Sequence, residues 1–87
     1  MKDLVDALKS APDLQLDSRM QPYIAKWGDP PKAIQVLEVL DYCVHGALAS
    51  GIVMRILEMI LDDAIKAEGT TYEAVVAQAT WRTEKKQ

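Results

Sequence analysis

The sequence predicts an all-α fold, a small bundle of about five helices. Apolar residues recur at i, i+3 and i+4 along most of the chain. Ser, Thr, Asp and Gly fall where helix ends need them. No pair of alternating segments brackets a turn signal.

The first segment, KDLVDALKSA, places Leu4, Leu8 and Ala11 on one face, with Val5 and Ala7 beside them. Pro12 ends it, because the residue before a proline is pushed out of the helical region. DLQLD follows as a connector; it alternates like a strand but has no partner to pair with. In the second segment, DSRMQPYIAKWG, Ser18 and Gln21 stand at capping-box spacing. Pro22 lacks the N–H of an early helical turn. Two starts therefore stay open: Ser18 with a weak first turn, or Pro22 as the first helical residue. Gly28 suits a left-handed stop.

GDPPKAIQ is the clearest start signal, with Asp29 as N-cap and Pro30 at the first helical position. A third helix is expected from Pro30 to about His45 or beyond. A fourth should begin near Ser50–Gly51 and run to Glu68, with Gly69 as its stop. TTYE pairs Thr70 with Glu73 as a capping box. The fifth helix then carries Tyr72, Val75, Val76 and Ala79 at helical spacing. The tail RTEKKQ, residues 82–87, frays into solvent. One domain spans residues 1–87, with residues 1–16 as N-terminal helix and connector. Short loops favour antiparallel neighbours, so the third and fourth helices form an apolar hairpin at the centre.

That hairpin is too apolar for one small core. Hydrophobic residues make up 49% of the 87, and beyond eleven alanines there are 32 larger apolar side chains. A domain this size buries only about 60% of its unfolded surface. In the third helix the polar positions Gln35, Glu38, Asp41 and His45 draw one thin line. In the fourth the line is Arg55, Glu58, Asp62 and Lys66. A helix apolar on nearly all sides is buried on most of them. The expectation is a homodimer whose interface holds Leu40, Val44, Val53, Ile56, Leu57 and Ile60, an isologous contact resembling a core cut in half. The alternative is a monomer that docks this face on a different protein.

Several function classes are disfavoured. The net charge of −3 offers no basic face to offset a phosphate backbone. A helix-turn-helix needs a polar, basic recognition helix, and the fourth helix is too apolar for that role. Arg82, Lys85 and Lys86 beside Trp81 keep a DNA-binding regulator as an alternative. A single cysteine makes no internal disulfide and fits a reducing compartment. Acidic residues in MKDLVDALKS interrupt what a signal peptide needs, so a cytosolic location is expected. CVHGALASGIVMRILEMIL, residues 43–61, approaches spanning length, but Arg55 and Glu58 fall inside it and charges at bilayer depth are costly. No membrane contact is expected.

No catalytic set and no cofactor are expected either. Cys43 and His45 stand two apart on one helix and cannot face each other. Cys43 reads as a small buried hydrophobe. Glu38, Asp41 and His45 share a face, and Glu58 and Asp62 could lie opposite. The helical-bundle metal pattern, however, needs Glu-x-x-His on two helices, and this chain has one histidine. The expected reading is a solvated polar line, with Glu58 and Asp62 pairing with Arg55 and Lys66. Phosphate loops and paired-cysteine motifs are absent from the sequence.

What remains is an interaction protein. Trp81, Trp27 and Tyr23 are of the types enriched at binding hot spots, and Met54 adds adaptable surface. Trp81 stands between Gln78 and Arg82, away from the Tyr72–Val76–Ala79 stripe, whereas Tyr72 is expected in the core. The sequence thus suggests a small regulator that binds and inhibits or masks a larger partner, such as a transcription factor, in the manner of an antiactivator. A secretion-type chaperone or a small subunit of a complex fits the same features.

Overall fold

The structure, a computed structural model, describes residues 2–10, 18–28, 30–46 and 50–81. Ala11, the DLQLD connector, Asp29 and the tail 82–87 lie outside the described residues. Among the described residues the chain is all-helical, with no strand.

Helix α1 is Lys2–Ser10 and turns Val5 and Leu8 into the core, with Leu4 half-buried beside them. A 3₁₀ turn, Ser18–Met20, leads directly into α2, Gln21–Ala25. The N-cap of α2 is Met20, and it makes no side-chain bond; the helical stretch begins with the 3₁₀ turn at Ser18, the weak first turn of the two starts left open. Pro22 sits in the first turn, where its missing N–H costs nothing because no intrahelical acceptor exists there. Gly28 is not a left-handed stop. Lys26 caps α2 in right-handed geometry, and the Lys26 and Trp27 amides close back onto Tyr23 and Ile24 at 3.3 and 3.0 Å. Trp27 is then buried, and this anchors the chain without a positive φ at Gly28.

Helix α3 is Ala33–Gly46, three residues later than GDPPKAIQ suggests. The tandem prolines are the reason. Pro31 pushes Pro30 out of helical geometry, so Pro30 cannot be the first helical residue. Lys32 becomes the flanking position instead: its carbonyl accepts from Gln35 and Val36 at 3.0 and 3.2 Å. Its own amide donates to the Gln35 side-chain oxygen at 3.3 Å, the backward half of a capping box.

Helix α4 is Gly51–Glu68, and both ends are as the sequence suggests. The Ser50 hydroxyl accepts from the Val53 amide at 3.3 Å. Gly69 adopts a left-handed φ of 65°, with Gly69 and Thr70 amides bonded to Lys66 and Ile65 carbonyls at 3.2 Å each. This is the paired closure that favours glycine.

Helix α5 is Tyr72–Ala77, capped by Thr71 rather than Thr70. Thr70 is occupied in closing α4, so the next threonine takes the capping role and accepts from the Ala74 amide at 3.2 Å. Glu73 consequently falls one place too early to reach back as the capping box requires, although an acidic first turn still suits the helix dipole. The backbone turns at Gln78 and Ala79, and helix resumes at Thr80.

The most extensive packing is between α3 and α4; α1, α2 and α5 then cover them from several sides. Val36, Leu37, Val39, Val53, Leu57 and Ile60 are wholly buried as a result. The end of α4 meets the beginning of α3, where the Glu68 carboxylate accepts from the Ala33 amide at 2.6 Å.

Candidate functional site

Three elements leave a groove of about 390 Å³ between them. Helix α3 contributes Leu40, α4 contributes Glu58, Leu61, Asp62 and Ile65, and α5 contributes Tyr72. The spacing on α4 accounts for this set. Glu58, Leu61, Asp62 and Ile65 follow i, i+3, i+4 and i+7 and so share one helical stripe. Leu61 is buried and Ile65 half-buried, forming an aliphatic floor with half-buried Leu40, while Glu58 and Asp62 are exposed along the edge. Asp62 pairs with Lys66 at 3.1 Å. That bond and the nearby Asp62 charge hold the Lys66 ammonium above its ordinary range. Both side chains are largely solvated, so the pair exchanges easily.

Tyr72 is 46% exposed at the mouth of this groove and is not a core residue. As the first residue of α5 it overhangs the floor; Val75 and Ala79, further along the same stripe, make the core contact. Trp81 is half-buried against the core and donates its indole N–H to the Asp41 carboxylate at 2.8 Å. Asp41 is itself buried, so the polar positions of α3 are not one solvated line: His45 is exposed, Gln35 and Glu38 are half-buried, and Asp41 faces inward. The signal for this pair was present in the sequence as a carboxylate among the apolar positions of the third helix and an indole needing an acceptor.

The remaining expected partner residues are scattered. Trp27 is 6% exposed and inside the core. Tyr23 is half-buried with its ring edge-on to Tyr42, centroids 5.4 Å apart. Met54 is half-buried. Of the residues expected at a dimer interface, Val53, Leu57 and Ile60 are fully buried within the single chain, because the flanking helices cover the sides from which they project. Leu40 and Ile56 are half-buried, and Val44 is 60% exposed. The outward apolar residues of α4 are instead Ile52 and Met59, at 64% and 47% exposure, in line with Ile56.

Cys43 is buried and forms no disulfide. Among the described residues no three His, Cys, Asp or Glu side chains come together as a metal-holding group. No helix among them is long and apolar enough to cross a membrane; within the apolar stretch 43–61, α3 ends at Gly46 and α4 begins at Gly51. A second hollow, of about 460 Å³, lies between Pro30–Lys32 and Ala64, Ala67 and Glu68, where Glu68 caps α3. Comparison with protein-family models, with curated proteins and with solved structures finds no match to this chain.

Proposed function

We propose that the protein is a non-enzymatic interaction module of the cytosol. It acts as a small regulator that binds and inhibits or masks a larger protein, such as a transcription factor. The observation that carries this reading is the groove under Tyr72, with its aliphatic floor, acidic edge and a solvent-facing aromatic ring at the mouth. Aromatic anchors beside apolar pockets are what protein interfaces concentrate their binding energy on.

The module also self-associates, through the α4 stripe of Ile52, Ile56 and Met59. These residues repeat at i, i+4 and i+7 along α4, and Asp62, three residues beyond Met59, stands where this stripe borders the groove's edge. Val44 stands one turn beyond Leu40 on α3 and extends the apolar surface next to the groove.

The test is affinity capture from native cell extract with the unaltered protein and with Tyr72→Ala, identification of the captured protein, and an assay of that protein's own activity. A partner that depends on Tyr72 and loses activity when bound supports the reading. Catalytic turnover by the purified chain, or capture unaffected by Tyr72→Ala, overturns it.

A further inference from the structure

Resting on that reading of the groove, we propose that its occupant is a basic amphipathic helix of the partner protein. The charge pattern is the first reason. Glu58 and Asp62 stand one helical turn apart along the edge, and among the described lining residues none is cationic. Among the described residues, Lys66 pairs with Asp62 at this edge, and the pair is solvated, so an incoming cation can displace it. Two carboxylates spaced by one turn match two lysines or arginines one turn apart on a second helix. The apolar floor of Leu40, Leu61 and Ile65 then meets the partner's aliphatic stripe.

Competing modes of peptide recognition fit less well. Strand addition needs an open sheet edge, and the described residues contain no strand. Proline-rich ligands dock on rows of aromatic rings, and among the described residues this groove has Tyr72 alone. Nucleic acid and acidic membranes are repelled by the same carboxylates that attract a basic helix. Helix-in-groove binding, read as apolar anchors with flanking charges, uses every residue present.

The test is a titration of isotope-labelled protein, followed by amide chemical shifts, with a synthetic helix built only of leucine and lysine at amphipathic spacing. A leucine–glutamate counterpart serves as control. The expected result is that the lysine helix binds and shifts Leu40, Glu58, Asp62, Ile65 and Tyr72, while the glutamate helix does not bind. The double variant Glu58→Lys/Asp62→Lys alters only exposed positions, and its fold is verified by circular dichroism. It should weaken binding about tenfold or more, and added salt should weaken binding to the unaltered protein. Equal binding of both peptides, shifts centred on Ile52 and Met59, or indifference to charge reversal overturns the proposal. So does concentration-dependent movement of the groove resonances without peptide, which marks a second copy as the occupant. A natural partner that is lost on Tyr72→Ala but retained by the charge-reversed double variant leaves the module standing and removes the basic helix. A partner indifferent to both sets of changes removes both.

Discussion

The indole of Trp81 donates its N–H to the carboxylate of Asp41 at 2.8 Å, joining residues forty apart in the chain. The bond fastens the backbone beyond α5 to the middle of α3. It places a buried acid next to a donor that cannot itself accept, and hydrogen bonds to charged acceptors are among the stronger ones. Trp81→Phe keeps most of the ring and removes the donor; it should cost about 1–2 kcal/mol in urea unfolding. Trp81→Ala also removes the packing and should cost about 3 kcal/mol. A Trp81→Phe protein with unchanged stability shows that the bond contributes nothing.

Leu57 is wholly enclosed within one chain, whereas Ile52 is 64% exposed. Leu57→Asp should therefore unfold the monomer, at about 4 kcal/mol or more, because it places a charge in a sealed apolar interior. Ile52→Asp combined with Met59→Asp should change unfolding little while abolishing self-association. Light scattering reads this directly, since the monomer mass is 9.7 kDa. An unaltered protein that runs at this mass at micromolar concentration removes the dimer.

Gly69→Ala isolates a backbone effect. A methyl group added at Gly69 meets nothing within 4 Å, yet φ is 65°. The expected loss is about 1 kcal/mol, all from left-handed strain. Gly69→Asn should lose less, because asparagine tolerates that region better. Chemical denaturation of the two variants side by side makes the comparison.

Cys43 is 2% exposed. In the folded protein its thiol should react slowly with an aromatic disulfide reagent, and the rate should rise as denaturant populates the open state. Rapid, denaturant-independent labelling contradicts the burial.

The fold was legible where the signals were local. Ser50 and Gly69 bound α4 because a hydroxyl cap and a left-handed glycine each act within a few residues. The signals failed where two adjacent residues competed for one role. Pro31 disqualifies Pro30 from the start of α3, and Thr70 is consumed by α4, so Thr71 caps α5. The site was less legible still. Periodicity places Tyr72 on the stripe of Val75 and Ala79 but does not say that the stripe's first member overhangs a groove. Trp81 looked free because its sequence neighbours are polar, but its acceptor comes from α3, far along the chain. Counting apolar residues correctly identified a large core. It did not say which of those residues one chain encloses by itself: the flanking helices cover Val53, Leu57 and Ile60, whereas Ile52 and Met59 stay exposed.

Glu68 is the last residue of α4, the wrong end for an anion by that helix's own dipole, yet its carboxylate sits on the first amide of α3. Two helix ends thus share one bond, and neither can fray without releasing the other. In hydrogen exchange the Ala33 amide should open together with the last turn of α4, and Glu68→Lys should accelerate both. The two longest helices should therefore open together at this corner, although thirty-five residues separate the two groups that bond there.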